Sequence, residues 1–220
     1  MSENNEALFR EVDEEVRQEE MMKLWSRYGR HMIFVAVVLI GAVAAWEGWK
    51  YYQLQQAQTA GSVYYAALKT ASAGKFDDAS ASLAAVNHPG FGSLAKLEQA
   101  AILGSKGDTD KAVAAYDAFA ADTANDPALA NLARIRAGYL LADSQTPDQL
   151  LTRLGPFDNG TSIWRNAARE IFGLSAWRVK DYAMANRYFG AIVIDPKAGA
   201  GLKQRAQMML QLAAPNLPQK

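Results

Sequence analysis

The sequence predicts an all-α chain: an N-terminal single transmembrane helix, a stack of helical hairpins behind it, and a C-terminal capping helix. Three observations predict it. Residues 31–46 form a run of 16 residues without a strong charge. Beyond that run no convincing stretch alternates apolar and polar residues with period two, as half-buried strands would. Three later segments align with one another without gaps at helical spacing.

The apolar run, His31 to Trp46, is a little short of the ~20 residues that cross a bilayer core. Extending it through Trp49 makes up the length if Glu47 sits among headgroups or snorkels to them. Trp25 and Tyr28 precede the run and Trp46, Trp49, Tyr51 and Tyr52 follow it. Such belts form where amphipathic rings settle at the two interfaces. A cleaved signal peptide and a buried core helix are the alternatives, and Ala42-Val43-Ala44 does look like a small-residue cleavage site. Against cleavage, the 30 preceding residues carry eight acidic side chains, whereas a signal n-region is short and basic. Lys23, Arg27 and Arg30 flank the run on its N-terminal side, with Arg17 farther out, while Lys50 and Lys69 are the nearby cations beyond it. That bias keeps the N-terminus in the cytoplasm and sends the C-terminal part across, into the periplasm if the membrane is a cell inner membrane.

The chain has 220 residues, so about 170 remain for one ordinary domain with a proper core. Net charge is zero. Residues 1–30 carry five basic and eight acidic groups, and residues 51–220 carry 17 and 14. Neither part has the basic excess expected of a nucleic-acid binder. The absence of cysteine excludes a disulfide framework, a thiolate metal site and a cysteine nucleophile.

In order, residues 1–30 read as an acidic tail with Phe9, Val12 and Val16 on one helical stripe. Residues 31–50 are the anchor, 51–60 a polar helical linker, 61–214 the domain and 215–220 a flexible end. The aligned segments begin at Gly74, Gly107 and Lys180. Each places Ala five positions on (Ala79, Ala112, Ala185) and a large apolar residue four further (Leu83, Tyr116, Phe189). Glycine closes a first helix at positive φ, Asp77, Asp108 and Asp181 cap the second, and Ala admits the paired helix. The first two segments stand 33 residues apart and the last two 73 apart, so a degenerate repeat belongs near 144–154. Asn125-Asp126-Pro127 and Asp195-Pro196 mark repeat ends, with Asn87-His88-Pro89 a looser version. This period and pattern resemble the tetratricopeptide repeat. The resemblance implies helix pairs at 61–73 with 76–86, 92–105 with 109–121, 127–142 with 147–154 and 161–178 with 182–193. A terminal helix at 199–213 would then cover the last pair with Met208, Met209, Leu210 and Leu212.

Tail, anchor and domain together resemble the ancillary SecYEG translocon subunit family, in its alphaproteobacterial form. The residues that carry this are Gly48-Trp49-Lys50-Tyr51-Tyr52, the segment Gly92-Ser-Leu94-Ala95-Lys-Leu97-Glu-Gln-Ala100, and Phe9-Arg-Glu-Val-Asp-Glu-Glu-Val16 with Leu24-Trp25-Ser-Arg-Tyr28-Gly29. The resemblance implies association with the SecYEG translocon, contact with a membrane-anchored periplasmic chaperone of prolyl-isomerase type, and help for emerging clients. The acidic tail is longer here than in the better-known members. A cell-envelope organising scaffold in division or wall synthesis would use the same architecture with other partners.

No catalytic constellation emerges, and the reading is of a non-enzyme with no cofactor, metal or small-molecule substrate. His31 and His88 lack an acid and serine, or a second ligand, at useful spacing. Gly90-Phe-Gly92 lacks the Gly-Lys-Ser/Thr of a phosphate loop. Two features remain as candidate binding elements. Gly41, Ala45 and Gly48 share one anchor face and would admit another helix closely, although an Ala- and Val-rich anchor produces such spacing by chance. The inner face of the stack, lined by the first helix of each pair, would present Tyr65, Gln99, Arg134, Arg136, Arg165 and Arg169 to a peptide segment.

Overall fold

The computed structural model describes residues 3–217, apart from the side chains of residues 3–20 and of Leu24. The expected tail stripe of Phe9, Val12 and Val16, and the end of the expected 215–220 segment, lie outside the described residues. The helices are α1 (Glu3–Ser72), α2 (Phe76–Ala84), α3 (Pro89–Ser105), α4 (Thr109–Ala121), α5 (Pro127–Leu141), α6 (Pro147–Leu154), α7 (Arg165–Arg178), α8 (Tyr182–Ile194) and α9 (Ala200–Ala213). Short 3-10 turns occupy Gly155–Phe157 and Ala214–Asn216. Among the described residues there is no strand, and the chain is all-α. It divides into two compact units, Met1–Gln58 and Thr59–Lys220.

In the first unit, every residue from 30 to 56 is exposed, including Ile33, Phe34, Val37, Leu39 and Ile40. Each large apolar side chain left in water forgoes roughly 1.5–3 kcal/mol of burial. Hydrocarbon removes that penalty and helical pairing satisfies the backbone. Among the described residues this is the one helix long and apolar enough to cross a membrane. At its start Trp25 folds over Gly29, which leaves Gly29 buried while its neighbours are exposed.

In the second unit the end of α1 pairs with α2, α3 with α4, α5 with α6 and α7 with α8, and α9 closes the stack on α8. The three aligned segments build three equivalent turns. Gly74 and Gly107 take φ of 78° and 87°, and Lys180, the one described non-glycine residue at positive φ, takes 64° in the equivalent place. At each, the following amide reaches back five residues: Lys75 to Thr70, Asp108 to Leu103 and Asp181 to Ala176, at 3.2, 3.0 and 2.9 Å. These close the helix ends in the six-to-one pattern of a Schellman turn. Ala79, Ala112 and Ala185 are fully buried, and Leu83, Tyr116 and Phe189 lie at most 2% exposed. The small residue sets the distance between paired helices and the large one fills the space beside it. Four successive clusters result, centred on Leu83, Tyr116, Phe172 and Ile192, as expected when each repeat buries its face on its neighbour.

Caps set the other boundaries. The His88 ring Nδ1 accepts from the Gly90 and Phe91 amides, so α3 starts at Pro89 and not at residue 92. Asp126 caps α5 before Pro127, and Thr146 with Gln149 forms a capping box before Pro147 on α6, the degenerate repeat. Of the three expected aspartate caps, Asp181 accepts from the Met184 amide at 2.9 Å. The other two are corrected. Asp77 lies inside α2, whose first flanking residue is Lys75, and it pairs with Lys106 at 2.7 Å. Asp108 flanks α4 but its carboxylate turns to Lys111. Asp195-Pro196 opens no helix either, because α9 begins at Ala200 and Asp195 is held by other groups. On α9, Met208 and Leu212 are exposed. Of the four expected there, Met209 and Leu210 do pack, in one stripe at helical spacing with Leu202, Ala206 and Ala213.

Candidate partner-binding surface

Ala-rich second helices leave gaps between successive hairpins. Between α2 and α4, floored by α3, lies a concavity of about 450 Å³, and beside it, between the end of α2 and the first turns of α3, one of about 480 Å³. The first has a floor of Ala100, Leu103, Ala115, Ala118 and Phe119 with Ser80 and Asn125 at its rim. The second opens over Val86, Gly92 and Ala95 beside His88. Lys96 and Gln99, one turn apart on α3, line both. A third, of about 270 Å³, lies among Asp117, Ala120, Ala121, Arg134 and Arg153.

The expected groove residues therefore separate. Gln99 lines the paired concavities, with its Nε2 donating to the Ser80 carbonyl at 3.2 Å. Arg134 lines the third, donating to Asn131 Oδ1 at 2.8 Å and to the Ala120 carbonyl at 3.0 Å. Tyr65 is 67% exposed on α1, edge-on to Tyr64, which packs on Phe91. Arg136 is half-buried and hydrogen-bonded to Tyr116, whose phenol burial pushes up and Arg136 pulls back.

Arg165 and Arg169 face inward. Arg165 grips Asp195 with Nε at 2.5 Å and Nη2 at 2.6 Å, and donates Nη1 to the Gly160 carbonyl at 2.6 Å. Asn166 Nδ2 and the Lys197 amide also donate to Asp195, at 3.0 and 2.8 Å. Arg169 donates to Asp158 at 2.6 Å. The Arg165 hydrogen bonds hold the Asp195 carboxyl well below the usual carboxylate range. Both charges are buried, and an ion pair at such a place is tolerated only when its remaining hydrogen-bonding groups are also satisfied. Arg165 thus ties the 158–164 loop to the end of α8. One turn on, buried Glu170 accepts from Tyr139 Oη at 2.5 Å and from Arg205 at 2.7 and 3.0 Å. Burial first, and that carboxylate second, push the Tyr139 phenol up.

In the first unit Gly41, Ala45 and Gly48 are all exposed, and a Cβ at either glycine would meet nothing within 4 Å. Lys23, Arg27 and Arg30 are exposed, with the Arg27 guanidinium 5.8 Å from the Tyr28 ring centre. Among the described residues no group of three or more His, Asp or Glu is arranged to hold a metal ion. The paired concavities, with Lys96 and Ser80, escaped the sequence reading. The faint signal for them was alanine at 115 and 118, where a packed helix face would carry larger side chains.

Residues 22–186 match the family model of the tetratricopeptide repeat-like domain. That covers more than half of the chain, which belongs to this family. The ancillary SecYEG translocon subunit of Escherichia coli (strain K12) is 29% identical over 132 residues, covering 57% of this chain and 64% of the relative. The chain thus spans just under two thirds of that curated relative's length. No solved structure matches it.

Proposed function

We propose that the chain is a single-pass inner-membrane scaffold whose tetratricopeptide repeat-like domain mediates protein–protein interactions at the Sec translocon from the periplasmic side. In this reading it links the channel to a membrane-anchored chaperone of prolyl-isomerase type and to emerging clients, and it binds without catalysing. The observation that carries the reading is the 29% identity to a protein named as a translocon subunit. The exposed apolar helix and the hairpin stack support it, because an anchor raises the effective concentration of a binding domain at the membrane. Lys23, Arg27 and Arg30 on the N-terminal side support this orientation, and the open face of Gly41, Ala45 and Gly48 is where a channel helix would pack.

The test is photo-crosslinking in cells from position 45 of the anchor and, separately, from position 136 of the domain. Channel subunits from the first probe and a chaperone or nascent chains from the second are the expected products. Division or wall-synthesis proteins would replace the reading with that of an envelope organiser.

A further inference from the structure

We infer that His88 is a pH-sensitive cap: protonating its ring releases the first turn of α3 and loosens the seam between α3 and the last turns of α1. The first amides of a helix have no partner within it. In α3 those of Gly90 and Phe91 are taken by His88 Nδ1, at 3.3 and 3.4 Å. A ring nitrogen accepts only while it carries no proton. Protonation turns this acceptor into a donor facing two other donors. It also sets a positive charge at the positive end of the helix dipole. Both effects act against the cap, which is therefore present at high pH and lost as the pH falls. Histidine is the side chain that makes this change between about pH 5 and 8, and His88 is the one histidine of the second unit.

The surroundings do not offset the change. The first turn of α3 holds no acid to take over the two amides. The concavity that His88 lines has Lys96 as its charged residue and no carboxylate among its lining. On the α1 side the Tyr64 phenol stands behind Phe91, with Glu98 and Arg136, of opposite sign, acting on it. Phe91 is what couples the cap to α1. Its ring centre lies 5.7 Å from that of His88 and 5.8 Å from that of Tyr64. It is seated so closely on α1 that a Cβ at Gly61 would lie 3.0 Å from the Phe91 Cζ. The same ring packs on the first cluster, with Ala67, Leu83 and Val86. Unwinding the turn that begins at Pro89 therefore withdraws Phe91 from the seam. It also moves Pro89, Gly92 and Ser93, which wall the neighbouring concavity.

The experiment is hydrogen–deuterium exchange, read by mass spectrometry, on the full chain in lipid nanodiscs. It compares about pH 8 with about pH 5.5, each rate corrected for the intrinsic effect of pH. In the wild type, protection of residues 90–93 and 59–66 should fall about fivefold at the lower pH, while α7 keeps its own. His88→Asn supplies a capping side chain that does not titrate, and should hold its protection alike at both values. His88→Ala removes the cap and should exchange at both values as the wild type does at the lower one. A wild type whose protection is indifferent to pH, or a His88→Asn variant that loses protection as the wild type does, would overturn the inference. So would a loss at 90–93 that leaves 59–66 unchanged, because Phe91 would then not couple the cap to α1.

Discussion

From residue 30 to 56 every residue of α1 is exposed, Ile33, Phe34, Val37 and Ile40 among them, whereas α7 buries Arg165, Asn166, Glu170 and Ser175 beside Ile171 and Phe172. Both are helices of one chain: α1 exposes residues that usually go inside, and α7 buries ones that usually stay outside. The difference teaches what surrounds each. Exposed valines and isoleucines are stable when the solvent is hydrocarbon. Buried arginine and glutamate are stable when each finds its counter-charge and its remaining hydrogen bonds within the fold. Composition tells the two helices apart, but only the partners contributed by the 158–164 loop, Asp195, Tyr139 and Arg205 explain α7.

Substitutions can break this contrast, beginning with the largest effect. Phe172→Ala empties the centre of the largest cluster and should destabilise the domain by about 3–5 kcal/mol in urea unfolding. Val38→Arg puts a charge at mid-anchor, where insertion costs about 2.5–3.5 kcal/mol; the protein should shift toward the alkali-extractable fraction of membranes, while the soluble-domain fold is unchanged. Glu170→Gln keeps the size but removes the charge beneath Tyr139 and Arg205, and should cost about 1–3 kcal/mol. Asp195 supplies a pH dependence of defined sign. Its folded pKa is depressed, so its contribution is present above the unfolded carboxylate value and is lost as the pH falls toward the folded one. Asp195→Asn should lower neutral stability and flatten the acid limb of the unfolding midpoint against pH. Lys180→Gly should do the reverse of all these and stabilise by about 1 kcal/mol, because φ of 64° suits glycine. If it destabilises, the Lys180 side chain has a role that the turn geometry does not supply.

The repeat was the most legible part of the sequence. Turn residue, alanine and large apolar residue recur at fixed offsets, and each performs a local task that the spacing alone defines. Lys180 shows that the backbone keeps the turn even where glycine is missing. Helix starts were less legible. His88 caps through a ring nitrogen, and the 159–162 turns delay α7 to Arg165. On α9 the expected Met209 and Leu210 do pack, but Met208 and Leu212, apolar like them, lie off the stripe defined by Ala206 and Ala213. Least legible were the concavities and the ion pairs, which join residues about 30 positions apart, as in Arg165 with Asp195 and Ser93 with Asn125. No local pattern carries such pairings. Arg165 looked like a groove cation for that reason.

The proposed arrangement has residues 31–50 crossing a membrane and the hairpin domain on the side opposite the acidic tail. The chain contains no cysteine, so single cysteines report its topology without background. Ser2→Cys in the tail and Ala85→Cys on the exposed end of α2 would each be treated with a membrane-impermeant maleimide on intact spheroplasts. The account predicts labelling at position 85 and none at position 2 until the membrane is lysed. Labelling at position 2 alone, or at both positions with the protein recovered in the soluble fraction, would contradict it.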